Sequence, residues 1–525
     1  MIIVKVLVSD PIAEQGIEIL KKEVDVDIKT GLEPSELIKI IGNYEALIVR
    51  SETQVTKDVI NSGKKLKIIG RAGVGVDNID VNAATERGII VVNAPEGNTI
   101  SAAEHTIAMM MAISRNIAQA NASLKSKKWD RKKFMGVEVR DKSLGVIGLG
   151  RIGSEVAKRA LGMEMKILAY DPFISSERAK DLGVELMTVE DIVKRADYIT
   201  VHTPLTKETK DLISGREFAI MKKGARVINC ARGGIINEEA LAKAVKDGIV
   251  SGAAIDVFTK EPPFDNPLLE LDRVIVTPHL GASTEEAQIN VAVTVAEQIV
   301  NALKGIPVKN AINMPYVKAE VLKILEPYLP LAERMGKLGT QLIGNYEKVE
   351  ISYCGEISDQ NVAPVTLAVL KGLLEPVLGS GVNYVNAPTI AKERKIRVVE
   401  SKSKMVVNYP SQILLKLSRK GEERIISGTV IGKEPRIVQI DEYLIDVAPS
   451  GYMILTKIKD HPNIIGPCCM ILGKNNINIA GMDVGRIKIG GEAIMVLNID
   501  SDVSDDVLEE IKSVDGIIDA KRVVL

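Results

Sequence analysis

Ser143 to Pro172, SLGVIGLGRIGSEVAKRALGMEMKILAYDP, constrains what this chain can fold into more than any other stretch. An apolar strand pattern at Leu144, Val146 and Ile147 runs into Gly148-Leu149-Gly150-Arg151-Ile152-Gly153. A helical pattern follows, and a second apolar run, Ile167 to Tyr170, ends on Asp171. A glycine-rich hexamer alone is a common turn, but this frame of strand, helix, strand and terminal acid is a dinucleotide-binding signature. Gly148 permits the tight turn, Gly150 lets the backbone approach a pyrophosphate, and Gly153 lets the helix pack closely on the strand. The free N–H groups of the helix start then face the phosphates. Asp171 can accept hydrogen bonds from a ribose 2′-hydroxyl and would repel a 2′-phosphate, which favours NAD over NADP.

At 525 residues the chain exceeds what one core can organise, so three or four domains are expected. Its 68 basic and 69 acidic residues leave a net charge of −1, which argues against general attraction to nucleic acid or an anionic membrane. No apolar run approaches the ~18 residues of a membrane span, and the opening MIIVKVLVSD reads as a strand rather than a signal peptide. Cys230, Cys354, Cys468 and Cys469 have neither disulfide-framework nor zinc spacing, and there are four histidines in all. No resident metal and a reducing cytoplasm are the simple expectations.

Residues 1–97 alternate apolar runs (Val4–Val8, Asp25–Ile28, Ala46–Val49, Lys67–Ile69, Ile89–Val92) with helical patterns, predicting a parallel sheet wrapped by helices. Asn98 to Ser114 predicts one buried helix, with Thr99 or Ser101 as cap, Glu104 as the capping-box partner of Ser101, and His105 as a satisfied core histidine. Five further apolar runs after Asp171 extend the nucleotide sheet to about residue 280. A helix over 283–304 then returns to the first domain. The segment 305–318 reads as a linker, 319–450 as a mixed unit beginning with a helix over 320–344, and 451–525 as a βαββαβ unit. The expected division is 1–97 with 283–310, then 98–282, 315–450 and 451–525.

Ligands in open α/β sheets bind beyond the carboxyl ends of the strands. There the chain carries Arg50 and Arg71 in the first domain, and Arg232, Glu261 and His279 in the second. Oxidising an anionic alcohol needs a proton acceptor near neutral pH, a carboxylate to orient it, and an arginine fork for the negative charge. These residue types supply those parts.

Gly148–Gly153 with Asp171, Val201-His202-Thr203-Pro204-Leu205, Asn229 to Gly234, Asp256-Val257-Phe258 with Glu261-Pro262, and Thr277 to Ala282 together resemble D-2-hydroxyacid dehydrogenases. Gly70 to Asn78 and Trp129 to Phe134 are similar to the long subgroup acting on 3-phospho-D-glycerate. The resemblance implies a doubly wound Rossmann-type nucleotide domain inserted into a flavodoxin-like substrate domain, then an α+β intervening domain and a ferredoxin-like ACT domain. It implies His279 as general acid/base, Glu261 as its partner and Arg232 on the substrate carboxylate. Val74, Gly148, Gly150, Arg151, Ile152, Gly153, Asp171, Thr203, Cys230, Ala231, Arg232, Asp256, His279, Leu280, Gly281 and Ala282 would line NAD. Arg50, Arg71 and Asn98 would meet the substrate, and Arg131 and Lys132 would reach a neighbouring subunit's site in a homodimer or homotetramer. Asp460 and Asn478 would contact an L-serine effector. Relatives often carry Pro-Gly after that acid; here the run is Pro462-Asn463, and asparagine tolerates a left-handed backbone. Ser427-Gly428-Thr429 and Lys433 to Arg436 are candidates for an anion site in the intervening domain. Two alternatives stay open: a glyoxylate or hydroxypyruvate reductase, and a non-catalytic NADH-sensing interaction protein. The extra arginines argue against the first and the ACT-like tail against the second.

Overall fold

The computed structural model describes residues 4–406 and 408–525, so the first three residues of the strand-like N-terminus lie outside it. The described residues form four sheets, each from consecutive strands.

The first holds five parallel strands, Lys5–Val8, Asp25–Ile28, Ala46–Val49, Ile68–Arg71 and Ile90–Asn93, in the order 2-1-3-4-5, the flavodoxin-like order. All four residues of Ala46–Val49 are buried, as strands covered on both faces require. Helices Pro34–Ile40, Lys57–Ser62 and Val81–Glu86 cover one face. The other face lies under Glu14–Lys21 and the distant helix Glu285–Leu303, whose Val291, Val295 and Ile299 join Val6, Ile48 and Ile68 in one core. Gly16 makes this crossing possible, because a Cβ there would meet Ala292 O at 2.8 Å.

Seven parallel strands form the second sheet: Ser143–Ile147, Lys166–Tyr170, Glu185–Leu186, Tyr198–Val201, Ala225–Asn229, Val250–Ile255 and Val274–Val276. Their order is 3-2-1-4-5-6-7, so the strand order reverses between Ser143–Ile147 and Tyr198–Val201, where ligands bind in such sheets. The glycine loop sits at that point. Gly148 has φ 96°, and a Cβ on Gly153 would fall 1.9 Å from Gly148 O, so helix Arg151–Gly162 lies against the loop as the spacing predicted.

Helix Thr99–Arg115 forms as expected, but its cap differs. Asn98 occupies the N-cap position without a side-chain bond. Ser101 is buried and donates to Gly281 O at 2.8 Å, and Glu104 pairs with Arg159 at 3.2 Å. Packing against Gly281 and Arg159 claims both side chains before local capping can. Asn116, left-handed at φ 49°, then starts a second helix, Ile117–Lys125.

The third sheet has six strands, Lys348–Gly355, Arg397–Ser403, Ser411–Arg419, Glu422–Ile431, Glu434–Ile440 and Tyr443–Val447, in the order 2-1-3-4-5-6. The helix expected over 320–344 is two, Ala319–Leu325 and Tyr328–Ile343, with Pro327 at the break. Tyr328–Ile343 packs on Ala363–Leu378 through Gly336 and Gly372, where a Cβ on Gly372 would fall 1.9 Å from Glu333 O. The fourth sheet, Tyr452–Lys459, Ile479–Arg486, Glu492–Ile499 and Ile517–Val524, is antiparallel in the order 2-3-1-4 with helices Ile465–Lys474 and Asp505–Lys512. This is the predicted split βαβ unit, and Asn463 has φ 66° as its turn allows. Among the described residues no helix is long and apolar enough to cross a membrane.

Candidate active site

Strand ends of the first two sheets supply the chemistry. Ile68–Arg71 carries Arg71 at its last position, and Arg50 directly follows Ala46–Val49. Arg50 is held by Asp10, two residues past the first strand: Asp10 Oδ2 accepts the Arg50 N–H at 2.6 Å, and Asp10 Oδ1 accepts the Thr53 N–H at 3.1 Å. Asn78 closes the same loop by donating to Arg50 O at 2.8 Å. Arg71 is half-buried, its Nε is without a hydrogen-bond partner, and a Cβ on Gly73 would collide with its Nη1. Burial, with Arg232 and Arg50 nearby, lowers its guanidinium to about 10. Three arginines therefore converge from two domains. Such a cluster is unfavourable until an anion enters it.

Arg232 follows Ala225–Asn229. Its loop is fixed by Asn229, which donates to Arg232 O at 2.8 Å and accepts from Ala231 N at 3.0 Å. Gly233 presses on the Phe258 backbone, where a Cβ would sit 2.0 Å from the carbonyl carbon. The Phe258 N–H donates to Glu261 Oε1 at 3.0 Å, and Glu261 Oε2 lies 2.9 Å from His279 Nδ1. The arginine loop is thus packed directly on the loop that orients the histidine. Asn98 Oδ1 is buried without a partner. Sequence reasoning missed Asp77, whose Oδ2 lies 3.4 Å from Arg232 Nε and occupies the fork with a carboxylate. It also missed Asp10, whose only signal was its place just beyond a strand end.

Of the nucleotide-binding candidates, Thr203 and Asp171 meet the glycine loop, while Cys230 and Asp256 meet Gly281. A Cβ on Gly150 would meet nothing within 4 Å, leaving open space at the start of helix Arg151–Gly162. Thr203 Oγ1 and His202 Nδ1 are buried without partners. Asp171 ends the second strand and accepts the Leu149 N–H at 2.8 Å. Arg151 reaches across to Glu96 at 3.9 Å, Ile152 is half-buried beside it, and Val74 O accepts from Asn93. Burial and the Asp256 carboxylate push the Cys230 thiol well up, so it stays protonated. Open space, orphaned polar atoms and a terminal carboxylate fit a dinucleotide.

Asp256 is buried and accepts from Leu280 N at 2.7 Å and Gly281 N at 2.9 Å, and Ala282 O accepts from Gln288. Burial alone would raise its carboxyl, but hydrogen bonds from His105, Thr277 and Leu280 N–H outweigh that and hold it below the ordinary aspartate value. Among the described residues no group of His, Cys, Asp and Glu could hold a metal.

Other predicted residues stand apart. Arg131 and Lys132 are exposed in the turn after Ile117–Lys125, and among the described residues no hydrogen bond or ion pair joins them to His279 or Arg71. Asp460 accepts from Arg486 at 3.3 Å and Gly490 N at 3.0 Å, and Asn478 donates to Asp500 at 2.7 Å, so each is engaged within its own unit. Ser427-Gly428-Thr429 is not an open anion site. Both hydroxyls are buried and bonded within the sheet, Gly428 faces Met335, and Arg436 pairs with Asp446 at 2.6 Å.

Residues 107–281 match the family model described as D-isomer specific 2-hydroxyacid dehydrogenase, NAD binding domain. Residues 324–441 match the D-3-phosphoglycerate dehydrogenase intervening domain, and 448–516 the ACT domain. The chain is 51% identical to a D-3-phosphoglycerate dehydrogenase of Archaeoglobus fulgidus, over 99% of this chain and 100% of that one. It is 45% identical to the protein of that name from Bacillus subtilis, over 99% of each. The crystal structure of D-lactate dehydrogenase from Aquifex aeolicus complexed with NAD and lactic acid superposes with a TM-score of 0.55 at 28% identity, covering 59% of this chain and all of that one.

Proposed function

This chain belongs to the D-3-phosphoglycerate dehydrogenase family, and from that membership we propose that it oxidises 3-phospho-D-glycerate to 3-phosphohydroxypyruvate with NAD, the first step towards L-serine. The observation that carries the reading is the meeting of Arg50, Arg71 and Arg232 at strand ends beside a His279–Glu261 pair. A phosphorylated hydroxy acid has two anionic ends, and these arginines offer more positive charge than a simple hydroxy acid needs.

Arg232 holds the substrate carboxylate, displacing Asp77 from its fork, while Arg50 and Arg71 take the phosphate and Asn98 donates to the substrate from the start of its helix. Glu261 fixes His279 with the proton on Nδ1, leaving Nε2 to accept the proton of the C2 hydroxyl. What NAD supplies when bound is acceptance of the C2 hydride. Gly148, Gly150, Arg151, Ile152 and Gly153 cradle its pyrophosphate, Asp171 takes the ribose, and Val74, Thr203, Cys230, Ala231, Asp256, Leu280, Gly281 and Ala282 line the rest. Replacing Asp171 by alanine should lower the NAD-over-NADP ratio of kcat/KM by about tenfold, since a carboxylate that repels the 2′-phosphate is lost. An unchanged ratio would remove Asp171 from that role.

The exposed Ile117, Leu124, Trp129 and Met135 support assembly into a homo-oligomer through this segment, bringing Arg131 and Lys132 to the neighbouring subunit's site. Asp460 and Asn478 are assigned to an L-serine effector across a pair of ACT units. The test is NADH production from 3-phosphoglycerate and NAD, with and without L-serine. Turnover of glyoxylate or hydroxypyruvate with no turnover of phosphoglycerate would overturn the substrate assignment, and an unchanged rate with serine would overturn the effector.

A further inference from the structure

The reaction as assigned has no task for the second imidazole near the site, His105 on helix Thr99–Arg115. Its Nε2 lies 3.2 Å from Asp256 Oδ1 and 3.2 Å from Thr277 Oγ1. The Asp256 side chain is completely enclosed, and it gathers donors from several elements: Thr277 Oγ1 at 2.6 Å, the Leu280 N–H at 2.7 Å and the Gly281 N–H at 2.9 Å. Those two amides belong to the residues directly after His279. His279 itself has φ 55° and donates its own N–H to Asp256 O at 2.9 Å. A non-glycine residue keeps a left-handed backbone only when its surroundings enforce it. One helical turn before His105, Ser101 donates to Gly281 O at 2.8 Å, so a single face of the helix grips the turn from both sides.

The other groups facing this carboxylate do not compete. Cys230 remains a neutral thiol, and Thr277 contributes a hydroxyl. A buried carboxylate is retained only where its donor set is complete. Since Asp256 is acceptor-only when ionised, the imidazole proton belongs on Nε2.

We propose that His105 is a positioning residue for the dehydrogenase reaction: it completes the donor set of Asp256, which holds the turn of residues 279–281 and so keeps His279 in its left-handed conformation opposite Glu261. The helix running between the substrate and nucleotide domains thereby helps to set the catalytic geometry. The proposal rests on the reading of His279 as the proton acceptor.

The test compares His105→Leu and His105→Gln in the full chain. Leucine removes the donor, whereas glutamine can present an amide N–H near the Nε2 position. For His105→Leu, hydrogen exchange in the 277–283 segment of the unliganded protein should accelerate about tenfold. NADH affinity, read by fluorescence titration, should fall about threefold to tenfold. The kcat for phosphoglycerate should fall about tenfold to a hundredfold with KM within about twofold, the scale of one hydrogen bond to a charged group. His105→Gln should recover exchange protection and kcat to within about threefold of the parent. Parent-like exchange and kcat in His105→Leu would overturn the proposal, and so would a glutamine variant as impaired as leucine with an equal loss of Tm. If the parent protein binds NADH and both variants behave as described in exchange, yet no form turns over phosphoglycerate, it is the functional reading that fails and not the coupling.

Discussion

Replacing His279 by alanine should lower kcat for phosphoglycerate oxidation about a thousandfold, while the dissociation constant for NADH, read by fluorescence, should change by no more than about threefold. The size follows from general base catalysis, which contributes on the order of 10²–10⁴ in rate. The other carboxylates near the substrate arginines are engaged among the described residues: Glu261 with the Phe258 N–H and with His279 itself, Asp77 with Arg232, and Asp10 with the Arg50 N–H. The small effect on NADH follows because the unpartnered buried polar atoms beside the glycine loop, Thr203 Oγ1 and His202 Nδ1, belong to another strand end. A variant retaining a tenth or more of the parent rate would show that the proton leaves by another route. Loss of turnover accompanied by full biological activity would favour a sensing role over an enzymatic one.

The second large effect separates a phosphorylated substrate from a plain hydroxy acid. Arg71→Ala should reduce kcat/KM for 3-phosphoglycerate about a hundredfold but alter that for D-glycerate by less than about threefold. A hundredfold is about 2.7 kcal/mol, within the range for removing one partner of a buried charge pair. The unliganded protein carries the opposite balance. Arg71 is desolvated and repelled by Arg232 and Arg50, enough to lower its guanidinium to about 10. Removing it relieves that repulsion, so Tm should hold or rise rather than fall. Equal losses on both substrates would move Arg71 from the phosphate to the carboxylate end, and a large drop in Tm would mean the side chain serves packing.

What the sequence made legible was whatever local sterics and strand ends determine. The bounds of Ser143–Ile147 and Lys166–Tyr170 were readable because the glycine hexamer leaves the backbone one sensible path. The placement of Arg50, Arg71, Arg232 and His279 at or just beyond strand ends was readable, because the carboxyl ends of parallel strands are where side chains meet ligands; Asp256 was named only through the family resemblance. Ser101, by contrast, looked like a cap and is a tether, since its partner Gly281 lies 180 positions away. Asp10 and Asp77 were invisible for the same reason. In the third sheet, Ser411–Arg419 is hard to read because Leu414 interrupts an otherwise alternating Ile413, Leu415, Leu417 pattern and blurs the period of two. The break at Pro327 was overlooked because the hydrophobic spacing continues across it.

The helix Glu285–Leu303 has a consequence for the order in which the protein comes into being. It roofs one face of a sheet whose last strand ends at Asn93. During synthesis about 200 residues must emerge between the two, which at ordinary ribosomal speeds takes about 10–40 s. Throughout that interval Val6, Val8, Ile48 and Ile68 are covered on one side only in part, by Glu14–Lys21, while the nucleotide sheet that follows can complete itself. The first part to be made is therefore the last of the catalytic half to become stable.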